Sequence, residues 1–478
     1  MSQSDERVSP LRDRSPEDIN DDLIRPVLET SGGWWILTVL TGLGGAWALG
    51  AFIYQLNVGM GTTGLNNPVN WGFYIINFVF WVGISHSGTM ISAILRLTKA
   101  EWRYPITRAA EAMTLFSLMM AGLFPLIHLG RNWLFWYMIP LPWGRGLWPN
   151  FRSPLLWDMT AIFTYMTGSS LFLYLALIPD LGLYRDHEKV TGWRKTLYKV
   201  LSLGWRGTHF QWRWFERASI IMTVVIIPVF ASVHTIVSWD FGMTIVPGWH
   251  STIFAPYFVV GAILSGVAAV ITLMVLLRWS YGLEDYITRE HFDQLGKMLL
   301  GVSLLWTYFF VTETGTVWFS SEAVEKPQLI ARTIGQFWPL FVIMVVTNTV
   351  IPVLCFSIKR FRRWIPGMLV VSLLINVGMF IERFLIIVPS LAHTATPFSW
   401  GNYAPSWVEL SITVGALCGF TFLYLLFIKL FPLIPVWEIK EGEHSRQYRT
   451  VGDREIPETL APIEERGFPP PKFGRREP

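Results

Sequence analysis

Charge is scarce in this sequence. Only 15% of its 478 residues are Asp, Glu, Lys or Arg, against about a quarter in an ordinary soluble protein. Cysteine is scarcer still: Cys355 and Cys418 are the two present, with no C-x-x-C spacing. That excludes an iron–sulfur cluster held by this chain alone, a cysteine-rich zinc site and covalent c-type haem. Both cysteines read as helix-packing residues. A Walker-type glycine loop and kinase or helicase signatures are missing, and no soluble domain of appreciable size is visible. The N-terminal stretch "MSQSDERVSPLRDRSPEDINDD" lacks the basic segment and apolar core of a cleaved signal peptide, so the first hydrophobic helix is expected to stay.

Hydrophobic residues are abundant instead, at 52%, with 25 Trp. Long apolar stretches recur at roughly 34–56, 68–97, 107–128, 158–178, 216–238, 252–279, 296–319, 332–357, 364–388 and 407–431. Each can cross a hydrocarbon core about 30 Å thick. Backbone amides in lipid must be bonded within their own segment, which makes these ten segments helices. The expected fold is an all-α polytopic membrane protein with its spans in 34–435. Residues 1–33 form an N-terminal tail. Residues 436–478 turn polar and then proline-rich ("GFPPPKFGRREP"); they cannot bury enough apolar area to fold alone and are expected to lie extended on a partner.

The basic residues orient the spans. Arg7, Arg12, Arg14, Arg25, Lys99, Arg103, Arg108, a cluster between Arg185 and Arg217, Arg289, Lys297 and the block "KRFRR" at 359–363 fall on one side. The other side holds Arg131, Arg145, Arg152, Lys326 and Arg332. The positive-inside rule places the rich loops and both termini in the cytoplasm. A sequence pI near 9.0 could suggest nucleic acid, but these cations flank helix ends, the topogenic and lipid-headgroup use.

Ionisable groups inside a membrane are expensive and are functional candidates by default. His128 ends the third span, Asp158 begins the fourth, and His234 lies near the end of the fifth. Glu313 lies late in the seventh span, and Glu382 and Arg383 in the outer third of the ninth. The strongest polar groups are therefore expected in the outer leaflet. Oxidising a quinol removes two protons and two electrons; an imidazole such as His128 can accept one proton and a carboxylate such as Asp158 can orient it or accept the second. The bland readings are an interfacial histidine and a helix N-cap. Arg383 stays charged at any relevant pH and needs a partner, Glu313 being expected; Glu382, about 100° away around the helix, reads as poorly placed. Bis-His haem ligation needs histidines at matched depth, and one haem joining His128 to His234 is the single arrangement conceivable.

The stretch "GISHSGTMISAIL" (83–95) sets His86 among small residues. Ser85, Gly88 and Ser92 fall at i, i+3 and i+7, and Gly83 and Ser87 are four apart, spacings that let helices approach closely. His86 is then an inner relay or a buried hydrogen-bonded histidine. The loop "RNWLFWYMIPLPWGRGLWPNFRSPLLWD" carries Trp133, Trp136, Trp143, Trp148 and Trp157, with Pro140, Pro142, Pro149 and Pro154. It reads either as an aromatic belt or as a lid or partner platform.

The segment "ERFLIIVPSLAHTATPFSWGNYAPSWVELSI" (382–412) resembles the late-helix signature of the NrfD/polysulfide-reductase membrane-subunit family. "NNPVNWGFYIINFVFWVGISHSGTMISAILRL" (66–97) resembles the second helix of its alternative complex III branch, and span number, loop and length are most similar to the ActC type. The resemblance covers about 34–435. It implies two four-helix bundles, spans two to five and six to nine, with extra terminal helices. It implies a subunit of the bacterial cell membrane without haem or iron–sulfur cluster of its own. Such a subunit binds quinol, menaquinol favoured, near the outer face and passes electrons to an iron–sulfur subunit, in a complex with c-type cytochromes and a sister NrfD-like subunit. His128, Asp158 and Arg383 match its quinol-binding residues, and His86, Glu313, Glu382 and Arg383 its candidate proton path. One departure is "PSLAHT", where relatives carry a His-Arg-Asp run after "TSL". Two other functions compete. Ten helices permit a secondary transporter, whose helices are often broken near the midplane; here Pro228, Pro339 and Pro352 fall near span ends, and "GLGG" at 42–45 is the strong central interruption. A purely structural anchor would not require His128 and Asp158 together.

Overall fold

The apolar runs satisfy their backbones internally, as hydrocarbon demands. In the computed structural model, which describes residues 11, 14–139, 150–445, 448–451 and 454–457, ten helices are long and apolar enough to cross a membrane. They are α1 (Gly32–Val58), α2 (Phe73–Leu97), α3 (Tyr104–His128), α4 (Pro154–Asp186) and α5 (His209–Gly242), then α6 (Phe254–Tyr281), α7 (Arg289–Ser320), α8 (Trp338–Ser357), α9 (Ile365–Ala392) and α10 (Trp407–Leu430). Their ends follow local chemistry. Thr208 with Gln211, and Ser406 with Glu409, close capping boxes at the starts of α5 and α10, satisfying amides the first turn leaves orphaned. Gly282 (φ 62°) stops α6 in the left-handed conformation that glycine adopts without strain.

Helices α2–α5 form one four-helix bundle and α6–α9 a second, with α2 packed on α6 and α9 across the seam; α1 pairs with α10, which leans on α3. The small residues of 83–95 serve packing both within the first bundle and across this seam. A Cβ on Gly88 would sit 2.2 Å from the Ala110 carbonyl oxygen of α3, and one on Gly83 would sit 3.2 Å from Ser265 Oγ of α6. The packing expected of the stretch is thus present on two sides; the Ser87 side chain lies outside the described ones.

The "GLGG" run does not interrupt α1. It lets α10 approach, a Cβ on Gly44 falling 2.5 Å from Cys418 Sγ. Pro228 lies well inside α5 rather than near its end. The irregular turns are elsewhere: π-helical turns at Met90–Ile94 in α2 and Val346–Val350 in α8. The carbonyl of Asn348 in the second accepts a 2.7 Å hydrogen bond from Ser303 Oγ of α7.

Both ends of the chain add helices. Pro16–Leu28, capped reciprocally by Ser15 and Asp18, buries Ile19, Leu23, Ile24 and Val27, and Lys429 Nζ donates to the Pro26 and Glu29 carbonyls (2.6 and 2.5 Å). Val436–Ser445 is helical, not extended, because Val436 and Ile439 reach the core; a short antiparallel ladder pairs Tyr448–Val451 with Arg454–Pro457. The remaining tail residues lie outside the described ones, as do Pro140, Pro142, Trp143, Trp148 and Pro149 of the aromatic loop.

A polar seam between the two bundles

Four spans place their polar residues on faces turned toward one another. Asp158, one turn into α4, and Asp240, near the end of α5, are both buried at 8% and 5% exposure. Their carboxyl groups face one another closely enough to interact. Two buried carboxylates this close repel unless one of them carries a proton. Asp240 has no role in the sequence reading, where an acid at a span end passes for an interfacial residue.

His128 Nδ1 and Asp158 Oδ1 are both buried without a hydrogen-bond partner among the described residues. His128 closes α3 with its ring 6.4 Å from that of Tyr74. The Tyr74 hydroxyl donates to Gln55 Oε1, and Gln55 Nε2 donates to the Ile127 carbonyl at 3.2 Å. His128 and Asp158 both lie at helix ends near the face opposite the basic loops.

His234 is six residues before Asp240 on α5, about 9 Å along the axis at helical rise. It meets His86, not His128: the two ring centroids are 4.7 Å apart. Both nitrogens of His86 face carbonyl oxygens, Nδ1 that of Val82 (2.6 Å) and Nε2 that of Phe230 (2.8 Å). The neighbour of His234 across the helices is thus His86 rather than His128. The Tyr165 ring lies 5.3 Å from His86. Its hydroxyl donates to the Ser85 carbonyl (3.1 Å) and lies 2.7 Å from Thr89 Oγ1.

Arg383 completes the seam from α9. It pairs with its chain neighbour Glu382, not with Glu313, which is held by Arg332 at 3.1 Å. Helical phase alone argues against the Glu382 pair, but a long guanidinium stem spans the angle when burial leaves it no other acid. Arg332 folds back into the protein and is 5% exposed, although its loop position suggests a solvated cation. Glu382 also accepts from Trp306 Nε1 at 3.1 Å, and the Arg383 guanidinium sits 5.1 Å over the Phe258 ring.

Residues 61–395 of this chain match the family described as polysulphide reductase, NrfD. The chain belongs to the NrfD family. Over 442 residues it is 26% identical to a putative dimethyl sulfoxide reductase membrane subunit of Halobacterium salinarum, covering 86% of this chain and 94% of that one. A selenate reductase subunit of Mesobacillus selenatarsenatis is 23% identical (82% and 92% covered). An Hdr-like menaquinol oxidoreductase integral membrane subunit of Archaeoglobus fulgidus is 24% identical, also covering 82% and 92%.

One expectation for this NrfD-family chain needs correction. Buried ionisable groups are not confined to the leaflet opposite the basic loops. Near the basic face Arg108 of α3 pairs with Asp180 of α4 at 3.0 Å, Arg362 pairs with Asp293 at 2.7 Å, and Glu111 is 3% exposed. Asp180 lies beyond residue 178, where the apolar run of the fourth span closes in the sequence, and Glu111 lies within the third.

Proposed function

We propose that this chain is the quinol-binding, quinol-oxidising membrane subunit of a respiratory or photosynthetic oxidoreductase complex in the bacterial cell membrane. The observation that carries this reading is the facing pair Asp158 and Asp240, buried near the face opposite the basic loops. A quinol loses two protons and two electrons on becoming a quinone. The carboxyl pair accepts one hydroxyl proton, and His128, whose buried Nδ1 has no partner among the described residues, accepts the other. Arg383 and Glu382 pair within α9. The two electrons pass to an iron–sulfur subunit and on to c-type cytochromes of the same complex, beside a sister NrfD-like subunit.

Menaquinol as the substrate is supported by the name of the Archaeoglobus relative, and an ActC-type place in alternative complex III by the resemblance of residues 66–97 and 382–412. Coupling to proton movement is supported by the polar groups inward of the carboxyl pair: His234, His86, Glu313, Glu382 and Arg383. The basic loops then face the cytoplasm.

The test is Asp158→Asn in the purified complex. Quinol:acceptor turnover is expected to fall about 10²-fold or more, the usual scale of a lost proton acceptor, while the complex stays fully assembled. Wild-type turnover overturns the assignment. Coupling fails separately if the reconstituted complex gives no uncoupler-sensitive pH change beyond the quinol's own protons.

A further inference from the structure

At the basic face a cavity of about 770 Å³ opens between the ends of α4 and α5 and the C-terminal helix Val436–Ser445. It lies far from Asp158 and His128, and nothing in the quinol reading uses it. One wall is aromatic. Trp205 and Trp212 stand edge to face with centroids 5.0 Å apart, and Phe215 and Trp437 lie 5.2 Å apart.

The polar lining is two-signed. Arg206 and Lys440 line it and make no ion pair among the described residues; Glu216 and Glu441 line it too, likewise unpaired there. Arg96 and Arg103, also in the lining, are held by Glu438 at 2.6 and 3.1 Å. Two buried donors lack an acceptor among the described residues, Trp437 Nε1 and Arg96 Nε. Leaving a buried donor without an acceptor is unfavourable, so an acceptor-rich ligand is the complement of this wall. Burial also disfavours charge on the unpartnered ends, drawing the Lys440 ammonium down from its ordinary pKa and pushing the Glu441 carboxyl up.

The cavity sits where the chain passes from hydrocarbon to headgroup depth. Ile220 lines it on the α5 side and is 57% exposed, beside exposed Ile221 and Trp214. An occupant could thus keep its head between the charged groups and its tail along α5. A free anion would satisfy the donors and repel the acids. A headgroup bearing both a phosphodiester and a primary ammonium serves both sets, and its acyl chains explain an aromatic wall open to lipid.

We propose that this cavity is a binding site for an ammonium-bearing phospholipid of the leaflet at the basic face. The phosphodiester accepts from Arg206, Lys440, Trp437 and Arg96, and the ammonium meets Glu216 and Glu441.

The test is native mass spectrometry of the intact complex after detergent stripping and exchange against vesicles of ethanolamine, glycerol or choline phospholipid, with inorganic phosphate as a separate arm. The expected result is retained ethanolamine phospholipid, reduced at least about fivefold in Arg206→Ala/Lys440→Ala. A second variant, Glu216→Gln/Glu441→Gln, should keep phospholipid but lose the ethanolamine preference. Equal retention in wild type and the arginine–lysine variant overturns the site. So does binding of phosphate alone, of glycerol phospholipid in preference, or of an isoprenoid quinone in its place.

Discussion

His86 of α2 and His234 of α5 lie in edge contact, with ring centroids 4.7 Å apart and both side chains fully buried. The two are not equivalent. His86 is fixed by carbonyl oxygens at both nitrogens, whereas His234 rests beside the Phe258 ring at 5.9 Å. Replacing His234 by Phe is therefore expected to preserve assembly and quinol oxidation while abolishing most uncoupler-sensitive pH change. His86→Phe should in addition lower the detergent melting temperature, since it removes the buried N–H donated to a backbone carbonyl, worth about 1 kcal/mol. Full coupling in His234→Phe would remove the imidazole pair from any proton route.

Asp158 and Asp240 should behave as one unit. Asp158→Asn and Asp240→Asn are each expected to cost about 10²-fold in turnover, and the double variant little more than either alone, because groups that act together are strongly non-additive. A double-mutant cycle on turnover measures this directly. Multiplicative losses would mean that the two carboxyls act at separate steps.

The ten spans are legible in the sequence because lipid leaves the backbone one solution and leaves apolar length as its signature. The small residues of 83–95 are legible for a similar reason: at helical spacing they can only permit approach, and Gly88 and Gly83 do meet α3 and α6. The partners of the buried polar groups are not legible. Asp240 and Asp158 come together only once α4 and α5 have paired, and helical phase misleads for Arg383, whose flexible stem reaches Glu382. Arg332 reads as a loop cation until the break before Trp338 turns it back onto Glu313. His128 and Asp158 are legible as polar groups near one face.

Arg383 and Glu382, 2% and 1% exposed, form a buried pair, and breaking one side leaves the other uncompensated. Arg383→Ala is expected to destabilise by about 3–5 kcal/mol, whereas Glu382→Gln/Arg383→Gln, which removes both charges, should cost considerably less. Thermal unfolding in detergent separates these outcomes. Equal losses in both would mean that the site tolerates an isolated charge.

The N-terminal helix should loosen at its capped end in acid. Asp18 accepts hydrogen bonds from the side chain and backbone of Ser15, and Asp21 from Lys189 and His187, which holds both carboxyls below their ordinary pKa. A depressed value means that the contribution is complete above the unfolded value near 4 and is lost as pH falls through the folded one. Amide protection factors over Pro16–Leu28 are expected to hold at neutral and mildly acidic pH and to fall below about pH 4. Protection lost near pH 6 would point to a histidine as the controlling group.

Two glycines of neighbouring helices should respond oppositely to the same substitution. A Cβ at Gly88 would lie 2.1 Å from Thr114 Oγ1 and 2.2 Å from the Ala110 carbonyl oxygen, where the rigid backbone of α3 cannot yield. At Gly122 the nearest atoms, of Ile162 and Met166, are 3.8 Å away, an ordinary contact. Alanine in a helix gains roughly 0.5–1 kcal/mol over glycine, and nothing offsets that gain at Gly122. At Gly88 overpacking costs about 1–3 kcal/mol and outweighs it. Gly122→Ala is therefore expected to raise the detergent melting temperature slightly. Gly88→Ala should lower it by several degrees and reduce quinol turnover, because the displaced helix also carries His86 and Thr89 into the seam. A Gly88→Ala protein as stable and active as wild type would show that α2 and α3 do not approach this closely.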